Sequence, residues 1–144
     1  METKLKPVGS MSAVEKAAFY AEVHADALVH AKYAFDTVYA GMYVAEEHES
    51  PLDDSSPVVK TSAPFELEGF AWVIVKPGNA GFGNWLRKTG NGKTDSYYGG
   101  IRIWVSGRGY ERKTAYANAY AARATELLAR VGDTPRIFPG SRLD

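Results

Sequence analysis

The sequence predicts an α+β fold, a small β-sheet of about three strands packed with a long N-terminal helix, a short middle helix and a long C-terminal helix. Three observations carry this. Ser12 and Glu15 have capping-box spacing and open a run of apolar residues three and four apart. Gly69 to Val75 is a short apolar run rich in aromatic and β-branched residues, the mark of a strand. From Tyr110 to Val131 the helical period returns and stops at Gly132.

The elements follow in order. Residues 1–11 read as a flexible arm or tag ahead of a single domain over 12–144. The first helical stripe is Val14, Ala17, Ala18, Ala21, Ala25, Leu28 and Val29. The pattern extends to about Glu47, so residues 12–48 form a helical segment. Unbroken, it would be roughly 55 Å long, so a break is expected, with Gly41 the natural place. The alternative is that Tyr33 to Val44 is partly strand. Ser50 to Pro64, with three prolines, four serines and two adjacent aspartates, makes residues 49–64 an exposed loop. Residues 65–144 are the basic α/β part. After the 69–75 strand, Asn79 caps a short helix bearing Phe82, Trp85 and Leu86, and Gly90 stops it. Asn91 to Asp95 is a turn, and Tyr97 to Ser106 a second strand. The last helix buries the mostly small stripe Ala117, Ala121, Ala124, Leu128 and Val131, and Arg136 to Phe138 adds a short strand.

Composition narrows the function. The 144 residues contain no cysteine, which removes disulfides, thiolate nucleophiles and Cys-ligated metals. His24, His30 and His48 lack ligand spacing, so neither metal nor cofactor is expected. Apolar runs are too short to span a membrane. Residues 1–64 carry five Lys and Arg against ten Asp and Glu, and residues 65–144 carry twelve against seven. Such a polarised chain neutralises itself internally, associates head to tail, or offers a basic face to an anion. Internal neutralisation is the expectation ranked first. With nine Tyr, six Phe and three Trp, self-association into a homo-oligomer is also expected.

Motifs for catalysis are absent. Gly92-Lys93-Thr94 resembles the end of a phosphate-binding loop, but Arg87 stands where that loop needs glycine, and a strand rather than a helix follows. No Gly-x-Ser-x-Gly elbow occurs. A binding protein is the better reading than an enzyme, and no catalytic residue is assigned.

Two places suit a ligand. Strand alternation puts Ile101, Ile103 and Val105 on one face of 97–106 and Tyr98, Arg102 and Trp104 on the other. The first set belongs to the core with Val73, Val75, Ala121 and Leu128. The second, two aromatics and a guanidinium, can stack bases and hold phosphate. Against this, the 69–75 strand is apolar on both faces, and such sheets are usually covered on both. The N-terminal helix would then cover Trp72 and Trp104, with Arg102 reaching outward past it. The second place is the loop Ser106, Gly107, Arg108, Gly109 with Arg112 and Lys113. Three cations crowd a helix start, against the dipole, and a bound anion would relieve them. Neutralisation by Glu111 and acids of the N-terminal half is the competing reading.

Phe70-Ala-Trp-Val, Pro77-Gly-Asn with Phe82 and Trp85-Leu86, Thr94-Asp-Ser-Tyr-Tyr-Gly-Gly-Ile, Trp104-Val-Ser, Glu111-Arg-Lys and Gly140-Ser-Arg-Leu-Asp resemble small uncharacterised proteins of tailed bacteriophages and prophages. The resemblance spans about residues 48–144, including Pro51-Leu-Asp-Asp with Ser56-Pro57. Those relatives carry a longer polar loop where this chain has Gly107-Arg-Gly-Tyr, so the resemblance does not carry the anion loop over. The resemblance implies a phage accessory protein, in the cytoplasm of an infected cell or in the virion, and carries no assigned function. The reading that results is a non-enzymatic binding protein whose basic, aromatic C-terminal half takes nucleic acid or another phosphate-bearing ligand. A self-associating virion or assembly protein is the second reading, and a small enzyme acting on a phosphorylated ligand the third.

Overall fold

Residues 5–144 are described by a computed structural model. Chain order gives α1 (Ala13–Thr37), β1 (Glu46–His48), β2 (Val58–Thr61), β3 (Gly69–Lys76), α2 (Gly81–Lys88), β4 (Lys93–Thr94), β5 (Ile101–Trp104), α3 (Tyr110–Ala129) and β6 (Arg136–Leu143). The α+β class holds, with two sheets rather than one. A four-stranded sheet runs β4-β5-β3-β6, entirely antiparallel, and β1 pairs β2 in a separate hairpin.

From β3 onward the elements follow β-α-β-β-α-β. Counting only these four strands in chain order, their arrangement is 4-1-3-2, the split βαβ plan. In this plan both crossover helices lie on one side of the sheet. Here Ala71, Val73 and Val75 of β3 and Ile101, Ile103 and Val105 at β5 join one core with Phe82 and Leu86 of α2 and Ala117, Tyr120, Ala121, Ala124 and Leu128 of α3. Every residue the alternation assigned to the core is buried.

The additional helix α1 also lies on this side. It packs on α3 through Tyr20, Val23, Ala27 and Ala31. Its capping box is present, Ser12 Oγ accepting from Glu15 N–H and the Glu15 carboxylate accepting from Ser12 N–H. The buried face is not the expected one: Val14, Ala17, Ala18, Ala21, Ala25 and Val29 are exposed. An alanine-rich helix offers weak contrast between its faces, and the larger Tyr20 and Val23 decide the contact. The helix ends at Thr37, ahead of Gly41, and continues as extended chain whose Tyr43 bridges Phe65.

Further expectations change, among them the cap of α2, which is Ala80 without a side-chain hydrogen bond rather than Asn79, and Lys93–Thr94, read as turn, which forms β4. Residues 46–48, read as helix, and 58–61, read as loop, pair as a hairpin around the Ser50–Pro57 turn. The second strand is only Ile101–Trp104. Asp95 accepts the N–H groups of Tyr97 and Tyr98, and Gly99 and Gly100 take positive φ, so residues 95–100 form a turn instead. Residues 5–11 are not a free arm, since Val8–Ser10 forms a 3₁₀ turn and Val8 N–H donates to Val131 O. The part of the expected arm at residues 1–4 lies outside the described residues.

Candidate functional site

The register of the four-stranded sheet places Phe70, Trp72, Ile74 and Lys76 beside Arg102 and Trp104 on one flank and Arg136, Phe138, Gly140 and Arg142 on the other. Lys93 lies opposite Arg102 on the far edge. This is the face away from the helices. The expectation that the N-terminal helix covers it is overturned, because α1 packs on α3 on the opposite side. Trp104 is 51% exposed, Phe70 41% and Tyr98 40%.

The rings form a row. Phe70 and Trp104 meet edge to face with centroids 6.3 Å apart, Trp104 and Trp72 at 5.6 Å, and Tyr98 lies 6.5 Å from Trp72. Tyr98 reaches the row from the 95–100 turn, not from β5. Trp72 is almost covered and sits over Gly140, where a Cβ would come within 2.3 Å of its indole nitrogen. Glycine at that position lets the indole lie flat on β6.

Arg102 is the centre of the row. Its guanidinium carbon is 4.6 Å from both the Trp72 and Trp104 rings and 5.7 Å from Tyr98. Asp95 is buried against its Nε, an ion pair without the alignment of a hydrogen bond. Amide donors from Tyr98 and Tyr97, then Arg102, hold the Asp95 carboxyl below the usual carboxylate range. Among the described residues, the two terminal nitrogens of Arg102 make no hydrogen bond. Stacking and the ion pair therefore fix the guanidinium plane while leaving its fork for a ligand.

Cations surround the rings. Arg142 lies over Phe70 at 5.4 Å, and Arg136 and Lys76 lie over Phe138 at 5.7 and 5.9 Å. Asp95 is the carboxylate paired within this group. The three residues singled out for stacking are thus brought together, and Phe70, Trp72, Phe138, Lys76, Arg136 and Arg142 join them. Alternation along β3 gave part of this signal. The contribution of β6 needed the strand order.

The predicted anion loop does not gather. Arg112 pairs with Glu66 at 3.1 Å, and the Glu68 carboxylate accepts from Gly109 N–H at the start of α3. Tyr110 N–H donates to Leu67 O. Lys113 is buried with its ammonium 5.7 Å from the Phe70 ring. Ser106, Gly107 and Arg108 remain exposed. The segment 66–68 therefore supplies the negative charge that an anion would have brought. Glu111 turns elsewhere, accepting from Gly41 N–H at 2.7 Å and from the Tyr43 hydroxyl at 2.6 Å.

The histidines are separately engaged. His24 Nδ1 meets the Tyr120 hydroxyl at 2.6 Å, His30 faces Asp26, and His48 Nδ1 contacts Ser56 O. Among the described residues, no three His, Asp or Glu gather as a metal site, and no helix is long and apolar enough to cross a membrane. Comparison with protein-family models, with curated proteins and with solved structures finds no match.

Proposed function

We propose that the open face of the four-stranded sheet binds single-stranded nucleic acid. The observation that carries this is the row of half-exposed rings around a guanidinium fixed by Trp72, Trp104 and Asp95, with basic side chains along its borders. Unstacked bases lie on exposed aromatic rings, worth about 1–3 kcal/mol per base, while cations follow the phosphates. A duplex hides its base faces and cannot use such a surface.

Architecture supports the reading by analogy. RNA-recognition modules also present a four-stranded sheet whose central strands carry stacking aromatics. Here β3 and β5 are central and carry Phe70, Trp72, Arg102 and Trp104. The chain lacks the sequence signature of those modules, so the likeness is one of plan, and fold alone does not assign function. Following the resemblance to phage proteins, we place this activity in an infected cell or a virion.

Anisotropy titration of a fluorescent single-stranded oligonucleotide is the test. Binding should weaken as salt rises, with a slope near −0.7 for each cation engaged. Single strands should bind at least tenfold tighter than a duplex of the same length. Equal affinity for both, or no binding at low salt, contradicts the proposal.

A further inference from the structure

We infer that the β1–β2 arm of one copy docks on the open basic sheet face of a second copy, joining chains head to tail. This stands on the arm itself and does not rest on nucleic-acid binding.

Among the described residues, the two strands of the arm pack chiefly on each other. Every residue of β2 is exposed, and in β1 only His48 is half-buried. Val58, Val59, Val44 and Leu52 face solvent, Leu52 completely. A lone two-stranded hairpin is at best marginally stable in water, and both of its edges are open to pairing. The root is fixed, since Tyr43 bridges Phe65 and Glu111 holds Gly41 and Tyr43. Beyond the root the arm projects free.

Charge selects the occupant. Residues 38–64 hold Glu46, Glu47, Glu49, Asp53 and Asp54 against Lys60 alone. The sheet face carries Lys76, Lys93, Arg102, Arg136 and Arg142. Internal neutralisation, the expectation ranked first, is scarcely realised. Among the described residues, Asp26–Arg123 is the one ion pair joining the acidic first half to the basic second half. Two arms repel each other, whereas arm and face attract, and exposed rings meet exposed valines. The two surfaces differ, so the contact is heterologous and builds a closed ring or an open chain. Arm and nucleic acid exclude each other on the face.

Sedimentation velocity of the full chain, without nucleic acid, tests this at about 100 μM and low salt. The wild-type protein should sediment as multiples of 15.7 kDa and return to monomer near 0.5 M salt. Glu47→Lys, Glu49→Lys and Asp54→Lys together should abolish association. So should Arg136→Glu with Arg142→Glu. All five positions are exposed, and circular dichroism should match wild type. Mixing the two variants restores opposite charges across the contact and should restore association. A wild-type monomer under these conditions, association unchanged in either variant, or a mixture that stays monomeric overturns the inference.

Discussion

The two faces of the four-stranded sheet are both rich in apolar residues but differ in side-chain type and in cover. On one, Ala71, Val73, Val75, Ile101, Ile103 and Val105 disappear beneath α2 and α3, with α1 adding to the same core. On the other, Trp104, Phe70 and Tyr98 stay half-exposed, and arginines lie over the rings in place of a helix. The covered face uses aliphatic residues and alanine, which pack closely and lack polar edges. The open face uses aromatic rings, which present flat apolar surface and an electron-rich face to cations. Side-chain type thus separates a closely packed face from one left half-open to water.

The largest expected effect lies on the covered face. Leu128→Ala removes a fully buried side chain and should cost about 2–5 kcal/mol of stability, measured by urea unfolding. Trp104→Ala should cost about 1 kcal/mol or less, because half the ring is already in water. Its effect belongs to binding, where losing one stacked base should weaken oligonucleotide affinity roughly 5- to 150-fold. If Trp104→Ala destabilises as strongly as Leu128→Ala, the distinction between the faces fails.

Gly140→Val sharpens the comparison from β6. The new side chain would occupy the space of the Trp72 indole, so tryptophan fluorescence should shift and affinity should fall while the helix-side core persists. Arg142→Gln should lower the salt slope of binding by about 0.7, the share of one phosphate contact on a single strand.

The smallest effect is a pH dependence arising in the helical layer. Burial, partly offset by Asn91, lowers the pKa of His24, whose ring meets the Tyr120 hydroxyl. In the unfolded chain this histidine titrates near 6.5. Below that pH the unfolded state binds a proton that the folded state resists. Stability is therefore fully present above about pH 6.5 and declines as pH falls toward the depressed folded value. His24→Gln should flatten this part of the profile, read from the urea midpoint at pH 5.5 and 7.5. Above pH 4, Asp95 should keep its grip on Arg102, since its carboxyl titrates below the usual range.

Much of the covered layer was legible in the sequence. The stripe Ala117, Ala121, Ala124, Leu128 and Val131 is buried as spaced, because period, composition and the Gly132 stop agree. For α1 the period was legible and the face was not, as alanines lie all around it. The hairpin is not legible in the sequence because its strands are three and four residues long and carry Glu46, Glu47 and Lys60, which give no apolar alternation. Arg102 and Trp104 could be assigned to one face from spacing, whereas Tyr98 joins them from the 95–100 turn, outside the alternation that placed it. Whether that face was covered depended on which side α1 chose, a tertiary choice that no local pattern encodes. The cationic loop at Arg108 was equally visible, yet Glu66 and Glu68 meet it from a distant part of the chain.

Amide and indole chemical-shift mapping can locate oligonucleotide binding on the uncovered sheet face, as proposed. Titrating isotope-labelled protein with a short single-stranded oligonucleotide should move the Trp104 and Trp72 indole signals and the amides of Phe70, Tyr98, Arg102, Phe138 and Arg142. Signals of Ala27 in α1 and Leu128 in α3 should stay in place. A spectrum that does not change at saturating oligonucleotide, or changes confined to the loop around Arg108 or to α1, would contradict the account.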